Sequence, residues 1–286
     1  MDKCSYFFNN TALFGSFPSQ ESVNILEQEG VQYFVNLTYN DEYNILPYQT
    51  NYNYISFPIR DLGVPQNLLD FSKFILKLTN IILNLRTSKI YIHCRGGHGR
   101  SGVVISCILC QIYNKLTTQQ ILLLVNKYHN DRETMREKWR VIGSPQTRHQ
   151  KYFVYKFNEP FIFFKHSETK HSMGFSMFSD FSVTIPNVGE YKNCYDGYEG
   201  LRIQQILTYG KIKSKSFFEL QNTDYNEDNK YLFDDLEYVI KLKIEQHENI
   251  KNALLGTFLR PIIEYRDTYN IIGILLTKIR NNILMQ

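Results

Sequence analysis

Along residues 12–157 the spacing of apolar positions switches repeatedly between a strand period and a helix period. Ala12 to Phe17 (ALFGSF) reads as a strand ending at Gly15 and closed by Pro18. Ser19 offers an N-cap to a helix through Ser22, Ile25 and Leu26 that stops at Gly30. Val31 to Leu37 (VQYFVNL), β-branched and aromatic, predicts a buried strand, and Tyr52 to Ile59 (YNYISFPI) predicts another. Leu68, Phe71, Ile75, Leu78, Ile82 and Leu85 recur at helical spacing. Lys89 to His93 (KIYIH) is a short strand; Gly102 to Tyr113 is an apolar helix, and Thr117 to Tyr128 a second one behind a Thr-Thr cap. Strands alternating with helices imply a layered α/β domain. The pattern breaks at Asn158-Glu159-Pro160, which predicts two domains, 1–158 and 159–286.

The second region is patterned differently. Phe161 to Phe164 (FIFF) starts strand-like, and Glu199 to Tyr209 reads as a helix. Asp224 to Glu237 is acidic and Asn-rich and reads as a surface loop. Asn249 to Leu259 and Ile271 to Leu284 have helical periodicity, so a mainly helical α+β domain with its own core is expected. Composition supports folding throughout, with 43% hydrophobic and 15% aromatic residues in 286. The net charge of +4 is too weak to imply a nucleic-acid partner. The abundance of Asn, Ile, Tyr and Lys reads as coding bias and carries no functional signal.

Five cysteines, Cys4, Cys94, Cys107, Cys110 and Cys194, are an odd number that disfavours a disulfide framework. Cys107 and Cys110 lie in an apolar helical stretch and read as small core residues. A reducing compartment is the simplest setting. The N-terminus has no apolar core behind a basic start, and no apolar run approaches the ~20 residues of a membrane helix. The expectation is a soluble protein of the cytoplasm, with the nucleus as the other setting, and with no membrane span.

Candidate chemistry is concentrated in His93-Cys94-Arg95-Gly96-Gly97-His98-Gly99-Arg100-Ser101-Gly102. A strand runs into a Gly-rich loop and the loop into a helix. Glycines let such a loop turn its N–H groups inward, and the helix presents its N-terminus to the same point. The result is an anion cradle sized for phosphate, whose field favours the ionised form of a thiol held inside it. Arg100, six residues after Cys94, is placed to grip two phosphate oxygens.

This string resembles the Cys-x5-Arg-Ser/Thr signature of the cysteine-based protein tyrosine phosphatases. The resemblance implies a central, mostly parallel sheet flanked by helices and catalysis through a phosphocysteine. It makes Cys94 the nucleophile, Arg100 the phosphate clamp, Ser101 a donor to the departing thiolate, and His93 a residue that tunes the sulfur. Arg95, Gly96, Gly97, His98 and Gly99 would line the phosphate site. Neither metal nor cofactor is implied, because backbone amides and Arg100 supply the charge stabilisation.

Asp61, in Phe-Pro-Ile-Arg-Asp-Leu-Gly-Val-Pro, lies about thirty residues before Cys94 at the end of a predicted strand. That place matches the family's general acid. Ser144 to Phe153 resembles the family's Gln-Thr-x-x-Gln element, with Gln146 and Gln150 at the water-positioning places. The compact length and these motifs look most like kinase-associated dual-specificity phosphatases. The expected substrates are therefore phosphoproteins carrying phosphotyrosine, phosphoserine or phosphothreonine. Arg95 and His98 stand where phosphoinositide phosphatases carry lysines, so a phosphoinositide is the runner-up substrate. The basic stretch Arg132 to Lys151 reads as solvated surface, and Trp139 as the anchor of that segment.

The C-terminal region resembles the NADAR family of N-glycosidases acting on ADP-ribose-related substrates. The resemblance rests on Phe175-Ser-Met-Phe-Ser-Asp-Phe181, the helix at Glu199, Leu254-Leu-Gly-Thr and Ile262-Ile-Glu-Tyr-Arg-Asp267 before the last helix. The family's Trp-Gly loop after the aspartate is missing. A degenerate domain with a binding or scaffolding role is the expectation, with no catalytic residues. The alternative to an active phosphatase is a module that captures phosphorylated or ADP-ribose-related ligands without turnover.

Overall fold

A computed structural model describes residues 4–43, 45–166, 169, 171–210 and 214–286. The described chain forms two compact units, Met1–Asn158 and Glu159–Gln286.

In the first unit the strands β1 (Cys4–Phe8), β2 (Ala12–Gly15), β3 (Val31–Asn36), β4 (Asn53–Ser56) and β5 (Lys89–His93) form one sheet in the order β1-β2-β5-β3-β4. β1 pairs with β2 antiparallel, and every other pairing is parallel. The edge strand β1 has no counterpart in the sequence reading. It folds back through Asn9 and Asn10, both at positive φ, as in the mirror-image turns that suit hairpins. β4 is shorter than predicted because Pro58 has no N–H for the ladder. The flanking amides still bond across, Phe57 N to Asn36 O at 2.9 Å and Ile59 N to Leu37 O at 3.0 Å.

The helices are α1 (Gln20–Gln28), α2 (Leu68–Asn84), α3 (Arg100–Ile112), α4 (Thr118–Asn130), α5 (Glu137–Ile142) and α6 (Arg148–Asn158). Ser19 caps α1, Asn67 caps α2, and Thr117 with Gln120 forms a capping box on α4. α3 begins two residues earlier than predicted, so Arg100 and Ser101 lie in its first turn. Every residue of α3 from Arg100 to Leu109 is buried, which makes it the central helix against the sheet. Cys107 is fully buried there, and among the described residues no two cysteines form a disulfide.

The second unit contains β6 (Phe161–Phe163), β7 (Val183–Ile185), β8 (Gly189–Tyr191), α7 (Cys194–Tyr209), α8 (Phe217–Gln221), α9 (Asp234–Gln246), α10 (Glu248–Leu255), β9 (Ile262–Glu264) and α11 (Ile271–Met285). β6 pairs with β9 parallel and β7 with β8 antiparallel, and the helices gather a separate apolar core around Phe233, Val239, Leu254 and Leu275. The surface loop expected over Asp224 to Glu237 is corrected: a 3₁₀ turn (Lys230–Phe233) leads into α9, whose first turn holds Asp234, Asp235 and Glu237. Acidic residues there match the positive end of the helix dipole, so the run marks a helix start. Among the described residues no helix is long and apolar enough to cross a membrane.

Candidate active site

The strands β2, β3 and β5 end level, with Gly15 and Asn36 each opposite His93. The chain leaves β5 at that edge, turns through residues 94–99 and enters α3. This is the crevice outside the carboxyl ends of parallel strands, where α/β sheets hold ligands. α3 starts from Gly99, which supplies no capping side chain, so the first amides of the helix are left for an anion.

The loop is held from outside by its carbonyls. Phe17 N donates to Arg95 O at 3.1 Å, Arg132 Nη1 to Gly97 O at 2.9 Å, and Ser144 Oγ to His98 O at 2.7 Å. A trans peptide sets its C=O and N–H on opposite sides, so each outward carbonyl turns the next residue's N–H away from its anchor. The amides of Gly96, His98 and Gly99 are aimed in this way. Gly97 sits at φ +72°, and a Cβ there would lie 2.4 Å from the Gly15 carbonyl carbon, so only glycine fits.

Cys94 is 3% exposed, and its Sγ lies 3.1 Å from Ser101 Oγ. Arg100 is 1% exposed and surrounded by acceptors. Glu42 accepts from both ends of its fork, Nη1 to Oε1 and Nη2 to Oε2; Ile59 O accepts from Nη1 at 3.0 Å, and Asp61 Oδ1 lies 3.0 Å from Nη2. Burial alone would lower the Arg100 pKa, but Glu42, Cys94 and Asp61 outweigh it and raise it. Asp61 is half-exposed at the mouth, in a turn where Leu62 takes φ +58°. Gln150, fully buried, donates from Nε2 to Gly63 O at 3.0 Å and accepts at Oε1 from Thr147 N at 3.1 Å. A Cβ on Gly99 would come within 2.8 Å of the same amide, so Gln150 links the Asp61 turn to the Cys94 loop. Gln146 is half-buried, and Arg95 and Gly96 are exposed.

Two histidines at the loop are neutral. His93 is fully buried, its Nε2 2.7 Å from Tyr48 Oη, and burial pushes its pKa down to about 3. It therefore carries no charge to the sulfur at neutral pH. His98 was expected as a cation for the ligand. Its Nδ1 lies 2.8 Å from His129 Nε2, and its ring stacks on Trp139 at 4.5 Å. Burial, then His129 and Arg132, push His98 down to about 3, so it is neutral. Trp139 thus anchors its segment through the loop histidine. The reading of Arg132 to Lys151 as solvated surface fails at Arg132, which is 3% exposed and grips the loop.

Sequence reasoning missed Glu42, Arg132 and Ser144. Glu42 lies in a polar segment with no period, and only its pairing with Arg100 reveals it.

Residues 11–114 match a family described as polymorphic toxin system, DSP-PTPase phosphatase. The protein named "Putative tyrosine phosphatase 197R" of Invertebrate iridescent virus 6 is 32% identical over 297 residues, covering 97% of this chain and 94% of its own length. "Putative tyrosine phosphatase 067L" of Invertebrate iridescent virus 3 is 41% identical over 165 residues, 57% of this chain and 68% of that relative. Among solved structures, Tk-PTP in its active form aligns at TM-score 0.42 and 21% identity, over 54% of this chain and 94% of that one. With a relative so similar along almost its whole length, this chain belongs to the cysteine-based protein tyrosine phosphatase superfamily and is a phosphatase of the tyrosine and dual-specificity type.

Proposed function

We propose that the N-terminal unit hydrolyses phosphate monoesters of proteins, both phosphotyrosine and phosphoserine or phosphothreonine, through a phosphocysteine at Cys94. The observation that carries this reading is the buried Cys94 sulfur beside Ser101 at the start of α3, under a loop whose Arg95, Gly97 and His98 carbonyls are held from outside by Phe17, Arg132 and Ser144.

The phosphate oxygens take the loop amides and the Arg100 guanidinium. Glu42 and Ile59 occupy Nη1 and one side of Nη2, which leaves Nε–H and the Nη2–H now facing Asp61 for the phosphate. The Cys94 thiolate attacks phosphorus, the P–O bond to the leaving group breaks, and Asp61 gives that oxygen its proton. Water then attacks the phosphocysteine, Asp61 takes the water proton, and the S–P bond breaks. Ser101 Oγ–H donates to the sulfur as it leaves as thiolate. Gln150 holds the Asp61 turn in register, and Gln146 is the residue read to orient the water. Arg95 lies at the rim for the substrate backbone. The half-exposed Asp61 supports a mouth open enough for the shorter phosphoserine and phosphothreonine side chains. The C-terminal unit, read as a domain of its own, serves substrate binding rather than a second reaction.

Hydrolysis of an aryl phosphate should vanish in Cys94→Ser and slow by about 10² to 10⁴ in Asp61→Asn. Phosphopeptides of all three types should be turned over. Strict phosphotyrosine hydrolysis would remove the dual-specificity reading. A preference for soluble inositol phosphates that disappears in Arg95→Ala would replace protein by lipid headgroup. Vanadate binding without any turnover would leave a capture module.

A further inference from the structure

One cation beneath the loop takes no part in these steps. Arg132 follows α4 and is 3% exposed. Nη1 donates to Gly97 O at 2.9 Å, Nη2 to Phe14 O at 3.1 Å, and Nε to Ser5 Oγ at 3.3 Å. Its guanidinium lies 4.2 Å over the Phe14 ring. These contacts join β1, β2 and the loop at one point. All the acceptors are neutral, and among the described residues no carboxylate forms an ion pair with Arg132. A buried cation facing only dipoles is costly, so its surroundings must compensate or its charge must serve something.

The groups around it narrow the choice. Tyr91 on β5 gives its phenolic proton to Ser16 O, and burial raises its pKa, so it stays neutral. His98 in the loop and His129 on α4 are both pushed down, in part by Arg132 itself, and are neutral. Arg140 adds a second positive charge, donating to Arg132 O at 2.7 Å. Two thiols flank these contacts: Cys94 opens the loop whose Gly97 carbonyl Arg132 holds, and Cys4 precedes Ser5 on β1. Burial pushes the Arg132 guanidinium down to about 10, which still leaves it charged at neutral pH. Of these neighbours, Cys94 is the one whose proposed reaction needs a negative charge.

We propose that Arg132 is a positioning residue of the phosphatase site. It fixes the Gly97 peptide so that the His98 amide faces the phosphate, and from behind the loop it lends Cys94 the positive charge that favours the thiolate. The inference rests on Cys94 being the nucleophile, and extends the ionic set around the sulfur beyond Arg100.

The test is the pH dependence of Cys94 alkylation by iodoacetamide in the full chain, with folding checked by circular dichroism. Arg132→Met should slow alkylation at pH 6 by about tenfold or more, with the profile moved to higher pH. Arg132→Lys should keep the wild-type profile while kcat falls, because it retains charge and loses the fork. A folded Arg132→Met with the wild-type profile overturns the proposal, and so does Arg132→Lys behaving like Arg132→Met. If Arg132→Met does not fold, the Arg132 Nε–H resonance decides on the native protein. It should move with pH in step with alkylation and stay still in Cys94→Ser; a resonance indifferent to Cys94 overturns the proposal. Alkylation needs no turnover. An inactive protein whose alkylation depends on Arg132 thus rejects the phosphatase reading alone, and an active enzyme with Arg132-independent alkylation rejects this inference alone.

Discussion

Glu42 shows how a single carboxylate decides what a buried arginine can do. Arg100 has almost no contact with solvent, and Glu42 takes one N–H from each end of its fork. Nε–H and the Nη2–H beside Asp61 stay out of that pairing and are the ones proposed to bind phosphate. Glu42→Gln keeps the shape and removes the charge, so Arg100 loses its fixed orientation. The expected result is a fall in kcat/KM of about 10² for an aryl phosphate, with the fold retained. An unchanged kcat/KM would show that the loop alone orients the guanidinium. At this scale the sequence is legible where the chemistry is contiguous. Cys94, Arg100 and Ser101 lie within eight consecutive residues, across the loop and the first turn of α3, and their order points to a cradle. Glu42 and Arg132 reach the same point from distant polar segments, and no local pattern marks them. His98 was misread because residue type shows a basic group, whereas burial beside His129 and Trp139 leaves it neutral.

Between elements, Gln150 on α6 ties the turn carrying Asp61 to the loop carrying Cys94. Replacing it with Ala leaves Gly63 O without its donor and opens space beside Gly99. Asp61, the proposed general acid, should then be poorly placed, and kcat should fall. Because the loss acts through Asp61, Gln150→Ala should cost little more in an Asp61→Asn background. Additive losses measured in that double-mutant cycle would place Gln150 on a separate step. Helices α1 to α4 and strands β2, β3 and β5 were readable because their periodicity and caps agree with their burial, whereas β4 is an exposed strand where a buried one was expected. β1 was missed although Tyr6, Phe7 and Phe8 are aromatic, because five residues with every second position half-buried give too short a pattern to stand out. The start of α9 was misread because its acidic turn looks like a loop until the helix beyond it is seen.

At the scale of the whole molecule, buried groups in the two units should respond to pH in opposite senses. In the first, His93, His98 and His129 are held near 3, 3 and 4 by burial, against an ordinary value of 6.5. The unfolded state then binds more protons, so their share of stability is full above about 6.5 and lost as pH falls towards those values. In the second, burial and then Asp267 raise Glu264 to about 7 from 4.5. Here the folded state binds more protons, so stability is full below 4.5 and lost as pH rises through 7. Calorimetry between pH 5 and 7 should show two transitions moving apart in sign, the first upward and the second downward by a few degrees. Transitions that move together would contradict this assignment of charges. The central claim concerns the sulfur itself and has a more direct test. Asp61→Asn should be mixed with an aryl phosphate, quenched in acid within the first turnover, and the peptide containing Cys94 weighed by mass spectrometry. The account predicts one phosphoryl group on Cys94, absent in Cys94→Ser. Turnover with no phosphate on that peptide, or with phosphate on another residue, would contradict it.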